Sequence, residues 1–202
     1  KNRPAASALL QKLLAPYQDT VEARVVLAQD AFARGDKPLA EREARAALAL
    51  KPDSEVAVLT LAQVLPDQGE VGGILASFLA AHPQAREVRA AHARVLVGQK
   101  QYDQARREFQ AILKDTPDNL GTLYALGIMS MQLNDTAAAE QYFVKFIKVL
   151  EKQPNDERDP GKVLMILAQL AEERGDLAAA REWLEKVDED DEPAPYFTAQ
   201  LT

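Results

Sequence analysis

Apolar residues recur at helical spacing along the chain, and in the segment from Gly121 to Asp135, GTLYALGIMSMQLND, they surround most of the predicted helix. One stripe consists of Leu123, Leu126, Met129 and Leu133, and a second consists of Tyr124, Ile128 and Met131. A helix on the surface of a globular protein needs only one apolar face for packing. The second stripe therefore requires an explanation of its own.

The composition of the whole chain also favours helices. Ala, Leu, Glu, Gln and Arg are abundant, whereas the β-branched and aromatic residues that favour strands are sparse. No apolar run approaches the roughly 20 residues that a transmembrane helix needs. We therefore expect an all-α protein without a membrane span.

The sequence repeats itself at a fixed interval. The segment QYDQARREFQAIL (Gln101 to Leu113) aligns with DTAAAEQYFVKFI (Asp135 to Ile147), which places Ala105 over Ala139 and Phe109 over Phe143 at a spacing of 34 residues. Such self-similarity is typical of proteins built from stacked repeats.

These residues resemble the tetratricopeptide repeat (TPR), a helix-turn-helix motif, with Leu126-Gly127 at its characteristic Leu-Gly position. The resemblance implies a solenoid that winds as a right-handed superhelix, with the first helix of each repeat on a concave surface. About five repeats are predicted in a single array over residues 1–202, at approximately 21–54, 55–85, 86–119, 120–160 and 161–194. A helix of a preceding repeat over 5–18 and the start of a further helix over 195–202 would make the chain the middle of a larger TPR protein.

Glycine, aspartate and proline positions predict how the helices begin, end and pack. Gly127 would let a second helix approach the first closely, which would justify a residue that costs about 1 kcal/mol relative to Ala in a helix. Pro52 and Pro117 would end second helices. Left-handed residues followed by N-caps are predicted at Gly35-Asp36, Asn134-Asp135 and Gly175-Asp176.

Two repeats depart from the common length. The second is about three residues short, carries Pro66 near the end of its first helix, and has Gly72-Gly73 where its second helix should begin. These features predict the weakest packing of the array. The fourth is about seven residues longer than the others, and Glu151 to Gly161 predicts an extended second helix followed by a polar loop.

The residues that carry most enzyme chemistry are few. Cysteine is absent, which excludes disulfides, thiol nucleophiles and cysteine-based metal sites. The histidines are His82 and His92, and His92 is expected to be a hydrogen-bonded, partly buried residue rather than a ligand. The acidic run Asp188 to Glu192 lacks the alternating ligands of a calcium loop and predicts a solvated turn. We therefore expect no catalytic residue, no cofactor and no metal.

The formal charge of −7 excludes one class of partner and suggests another. A net acidic chain without a basic face is a poor nucleic-acid binder. The third repeat is an exception, because basic residues exceed acidic residues by four between Arg86 and Lys114, and Arg94 would occupy a concave position. An acidic or C-terminal carboxylate group of a partner could bind there, although a solvated basic helix face is an equally good interpretation.

The resemblance to TPR proteins offers an explanation for the second apolar stripe: it would line a concave groove that a peptide or partner protein covers. The predicted partner-binding residues are Arg94, Tyr124, Ile128, Met131, Met165 and Gln169. The alternative is that neighbouring repeats bury this stripe, with Met filling gaps in the core. The carboxylate clamp of chaperone-binding TPR domains is not expected, because its positions hold Val25, Gln29, Thr60, Glu87 and Ala91.

The predicted function is therefore a non-enzymatic interaction scaffold. The segments around Glu172 to Asp176 and Trp183, and Tyr196 to Leu201, also resemble multi-repeat TPR lipoproteins of Gram-negative cell envelopes. That resemblance favours a periplasmic or outer-membrane-associated adaptor over a cytoplasmic one. Two alternatives stay open: a non-catalytic arm of a larger enzyme such as a glycosyltransferase, and self-association through the groove.

Overall fold

A computed structural model describes residues 9–10, 12–17, 19–153, 156 and 158–187 of the chain. Between Val21 and Leu184 the described residues form ten α-helices. They are α1 (Val21–Ala33), α2 (Lys37–Leu50), α3 (Glu55–Val64), α4 (Gln68–Ala81), α5 (Arg86–Gly98), α6 (Tyr102–Asp115), α7 (Leu120–Gln132), α8 (Thr136–Leu150), α9 (Gly161–Glu173) and α10 (Leu177–Leu184). No helix among the described residues combines the length and hydropathy that crossing a membrane requires.

Several predictions concern the ends of the chain. Within the predicted helix over 5–18, residues 9–10 and 12–14 are helical and Ala15–Tyr17 is a 3-10 turn. The remaining residues of that segment, the acidic run from Asp188 to Glu192 and the helix start over 195–202 lie outside the described residues. The division into five repeats within a single array stays a prediction.

Short polar side chains set the beginnings of the helices. Asp36, Asp135 and Asp176 each accept a hydrogen bond from the backbone N–H three residues later, at 3.2, 3.1 and 3.1 Å. Asn119 does the same for Thr122 at 2.8 Å. These bonds satisfy N–H groups that have no partner within the helix, and the three aspartate caps confirm the sequence prediction.

The residue before each predicted aspartate cap adopts the left-handed conformation. Gly35, Asn134 and Gly175 have φ values of 81°, 57° and 80°, which confirms the prediction. Glycine enters this region without steric cost, and Asn tolerates it better than most residues do. Lys100 also has a positive φ, 60°, and the sequence did not predict it.

The chain divides into two compact units, Lys1 to Phe109 and Gln110 to Thr202. In unit 1, α1 packs on α2, α2 on α3, and α4 on α5, as expected for successive antiparallel helices. The apolar core of unit 1 includes the buried side chains of Val58, Leu61, Leu75 and Val88. Ala28 and Ala31 of α1 and Ala40 and Ala44 of α2 are buried as well, which allows those two helices to lie close together.

Unit 2 is organised around α7, α8 and α9, with α10 packed on α9. Its core includes Leu123, Phe143 and Leu167, all fully buried. A Cβ placed on Gly127 would lie 2.5 Å from the Phe143 ring. The absence of a side chain at Gly127 is therefore what lets the ring of α8 contact the backbone of α7, and the predicted close approach is confirmed.

The short second repeat differs from the prediction in one respect. The helix α3 has ten residues and ends at Val64, because Leu65 precedes a proline and adopts an extended conformation with ψ 133°. Asp67 then caps α4, so that helix begins at Gln68. The pair Gly72-Gly73 lies inside α4 and not at its start, so that expectation was wrong.

In each predicted repeat the first helix carries an odd number and the second helix an even number. Two ion pairs at equivalent positions of unit 1 link a first helix to the second helix that follows it, α1 to α2 and α5 to α6. Arg24 Nη1 lies 2.5 Å from Glu43 Oε2, and Arg89 Nη1 lies 2.5 Å from Glu108 Oε2. Glu43 is only 5% exposed and also accepts hydrogen bonds from Arg42. The corresponding positions on the other helix pairs carry apolar residues, which belong to the apolar clusters: Val58 with Ile74, Leu123 with Tyr142, and Leu164 with Trp183.

The predicted extension of the second helix in the fourth repeat is small, because α8 has 15 residues whereas α2, α4 and α6 have 14 each. The helix α8 ends at Leu150, and described residues 151–153, 156 and 158–160 are not helical. Lys186 pairs with Glu151 at 3.1 Å, which ties the end of α10 to the end of α8 within unit 2.

Candidate functional site

Tyr124 is an exposed aromatic residue with a rigid support. Its side chain stands on α7 and is 38% exposed. Its ring centroid lies 6.1 Å from Phe143 in an edge-on arrangement and 6.2 Å from Phe146. Both phenylalanines are buried in the core of unit 2. Contacts of this kind hold an aromatic ring in place and leave one side open for a ligand.

Ile128 and Met131 continue the stripe of Tyr124 along α7. They lie four and seven residues after it, and positions at that spacing share one helix face. Both are half-buried and pack against the core of unit 2. The second stripe is therefore partly covered by its own unit, as the packing interpretation requires, and partly open at Tyr124.

Met165 and Gln169 occupy the corresponding positions on α9. Met165 is half-buried, and Gln169 is exposed. The Gln169 amide donates a hydrogen bond to Glu173 Oε1 at 3.0 Å. The five predicted residues of unit 2 therefore offer a partly apolar surface on two first helices, with an amide as its polar member.

Arg94 belongs to unit 1, where it stands on the edge of a groove of about 420 Å³. We call this the first-helix groove. Apolar side chains of α3, α4 and α5 line it, among them Leu59, Val71 and Val95. Arg94 is exposed and makes no ion pair with any described residue. It could therefore bind an anionic group beside an apolar surface.

The sequence analysis missed the α3 wall of this groove, although a signal was present. Gln63 lines the groove and occupies the same place on α3 as Arg94 does on α5. When residues are counted from the start of each first helix, Leu59 and Gln63 of α3 take the places of Tyr124 and Ile128 of α7. The short length of the second repeat, Pro66 and Gly72-Gly73 indicated weak packing, and not a binding surface.

The histidines of unit 1 show no arrangement for chemistry. His92 is partly buried, as predicted, but the predicted hydrogen bond is not formed at its Nδ1, which lies 3.4 Å from Glu108 Oε1 and has no hydrogen-bond partner among the described residues. Glu108 is already engaged by Arg89. The His82 ring lies 4.6 Å from the Phe78 ring. Across the described part of the chain, no group of three or more His, Asp or Glu side chains could hold a metal ion.

Two sequence profiles described as tetratricopeptide repeats match the chain, one over residues 90–161 and the other over residues 21–46 and 162–186. Together these matches cover more than half of the sequence. The chain belongs to the tetratricopeptide repeat family. Its fold is an all-α TPR helix-turn-helix solenoid, as the sequence predicted. A comparison with curated proteins gives no significant match.

Solved TPR structures share this fold. The crystal structure of PilW, described as a widely conserved type IV pilus biogenesis factor, has a TM-score of 0.76 and 19% identity, covering 99% of this chain and 91% of PilW. PilF of Pseudomonas aeruginosa has a TM-score of 0.66 and 24% identity, covering 82% and 73%. YrrB, described as a TPR protein with an unusual peptide-binding site, has a TM-score of 0.60 and 13% identity, covering 88% and 89%.

Proposed function

We propose that this TPR protein is a non-enzymatic scaffold that binds a peptide or a segment of a partner protein on its first helices. The observation that carries the proposal is the exposed Tyr124 ring, which is supported by buried Phe143 and Phe146 and continued along α7 by Ile128 and Met131. A fixed aromatic residue gives up little conformational entropy when a partner covers it. TPR proteins bind protein or peptide partners, which agrees with this assignment.

The residue types on this surface favour a peptide over a rigid small molecule. Methionine side chains at Met131 and Met165 adapt to ligands of different shape. In unit 1, the unpaired Arg94 adds a cation beside the first-helix groove. A partner segment that binds the first-helix groove is expected to present apolar side chains together with an acidic side chain or a C-terminal carboxylate.

A peptide library displayed on phage tests the proposal without a known partner. Peptides enriched on the protein are synthesised, and their dissociation constants are measured by fluorescence anisotropy. The double substitution Tyr124→Ala and Met131→Ala is expected to weaken binding by roughly 2 kcal/mol or more, about a thirtyfold change. Gln141→Ala, an exposed position on α8, is the matched control and should leave binding unchanged.

The proposal fails if the double variant keeps the helical circular dichroism spectrum of the parent and binds the selected peptides equally well. A narrower form is an adaptor in a cell-envelope complex, which the description of PilW as a type IV pilus biogenesis factor supports. Recovery of the native protein in the cytoplasmic fraction of its host would reject that narrower form alone.

A further inference from the structure

A second cavity, of about 610 Å³, lies in unit 1 between α2 and α4. It uses a different face of α4 from the first-helix groove, since Ile74 and Phe78 line this cavity, whereas Val71 and Leu75 line the groove. Val58 and Phe78 form part of its floor and belong to the core of unit 1. The cavity therefore borders the apolar core of the unit, in which Val58 and Phe78 are 1% and 7% exposed. We call it the second-helix cavity.

The cavity results from small residues on α4. Gly73 lies on its wall, and a Cβ built there would have no other atom within 4 Å. Ser77 and Ala81, one and two helical turns further on, line it as well. Counted from the N-cap, the other second helices carry long side chains at the place of Gly73, namely Arg42, Arg107, Gln141 and Glu182. The stems of such side chains cover apolar surface, and α4 lacks that cover.

The rim of the cavity is acidic. Asp53 and Glu70 line it, and the lining residues include no lysine or arginine. Asp53 is exposed and makes no ion pair with a described residue. Glu70 accepts a hydrogen bond from Arg45 at 2.6 Å, and Arg45 also bonds Glu41. Hydrogen bonds to Glu70, which has the larger effect, and to Glu41 raise the pKa of Arg45. The two carboxylates share this one cation, so the local charge stays negative.

We propose that the second-helix cavity is a further docking site, and that it takes an amphipathic helix of a partner protein with one large apolar side chain in the cavity and a lysine or arginine within one turn of it. The apolar side chain would contact Phe78 and Ile74 on the floor. The cation would face Asp53 and Glu70 on the rim, because opposite charges at the edge of an apolar pocket fix the orientation of a ligand. This site is independent of the proposed surface at Tyr124.

The test uses a phage-displayed library of helical peptides, with the Gly73→Leu variant for counter-selection. A leucine at this open position fills the cavity from its wall. Enriched peptides should combine Leu, Phe or Met with Lys or Arg at helical spacing, and Gly73→Leu should weaken their binding at least about tenfold. Gly98→Leu is the matched control, because Gly98 also has open space around it and does not line the cavity.

Charge reversal gives a second and milder variant. Asp53→Lys should weaken the same peptides, whereas Asp118→Lys should not, since Pro117-Asp118 is the equivalent loop after α6. The combined Tyr124→Ala and Met131→Ala change should also leave this binding intact, which separates the site from the proposed function.

Three outcomes would overturn the inference. The first is that no peptide is enriched over the counter-selection. The second is that enriched peptides are acidic or bind both Asp53→Lys and Gly73→Leu as tightly as the parent. The third is that the molecular mass of the parent rises with concentration and Gly73→Leu abolishes the rise, which would assign the cavity to a second copy of this chain.

Discussion

A positive φ follows four of the described first helices, at Gly35, Lys100, Asn134 and Gly175, and it turns the backbone towards the second helix. Gly35 and Gly175 adopt positive φ before an aspartate cap, and the sequence indicated both. Lys100 adopts the same conformation without a residue type that favours it. Lys100 stands 34 residues before Asn134, so the repeat spacing predicts a left-handed residue at this position although lysine does not favour that conformation.

Gly127 provides a prediction at this scale. The change Gly127→Ala should lower the free energy of unfolding by a net of about 1–2 kcal/mol, because the new methyl group would meet the buried Phe143 ring. The overpacking costs about 2–3 kcal/mol, and about 1 kcal/mol of it is offset by the gain in helix propensity. Urea denaturation followed by circular dichroism measures the difference.

The matched control is Gly73→Ala, inside α4, where a Cβ has no other atom within 4 Å. This variant should be about 0.5–1 kcal/mol more stable than the parent, because alanine favours the helix. Equal effects of the two substitutions would show that contact with Phe143 is not what requires Gly127.

Most helices could be predicted from the sequence, because capping residues, prolines and the spacing of apolar residues indicate the same helix boundaries along most of the chain. The error at α4 has a physical cause. Two glycines indicated a helix start at residue 72, but the Asp67 side chain accepts hydrogen bonds from the N–H groups of Gly69 and Glu70 and begins the helix earlier. A capping side chain decided the boundary, and the two glycines only lower the stability of the helix that contains them.

The pair α3 and α4 should be the least protected part of unit 1. The helix α3 has ten residues, and α4 contains Gly72 and Gly73 and borders the second-helix cavity. Amide hydrogen exchange of the intact protein should therefore be faster in α3 and α4 than in α1 and α2. Uniform protection across these four helices would contradict the prediction.

For the whole molecule, composition and repeat spacing identified the family, whereas the surfaces required coordinates. Whether Tyr124 is open or covered depends on the neighbouring Phe143 and Phe146, and spacing along α7 does not show this. The second-helix cavity depends on the small residues Gly73, Ser77 and Ala81 of α4. These residues form no catalytic or metal-binding motif, so the sequence did not indicate the cavity.

The charge of the molecule supports one further expectation. With a formal charge of −7 and a sequence pI of about 5.0, the protein should not bind duplex DNA at physiological salt, because its net negative charge opposes the approach of the phosphate backbone. An electrophoretic shift assay with a fluorescent duplex tests this. A retarded band that disappears in the Arg106→Glu and Arg107→Glu double variant would contradict the expectation and show that DNA binding requires the basic residues of α6.

The two ion pairs of unit 1 also restrict how such a chain can be rearranged by recombination. Arg24 and Arg89 pair with glutamates on the following helix, whereas the equivalent positions of the other described helix pairs carry aliphatic or aromatic residues. If a second helix with its glutamate were moved next to a first helix without the arginine, the carboxylate would lie unpaired among apolar side chains. That change would cost several kcal/mol. Crossovers that keep both members together avoid that loss, so the helical hairpin is the smallest module that can be shuffled intact.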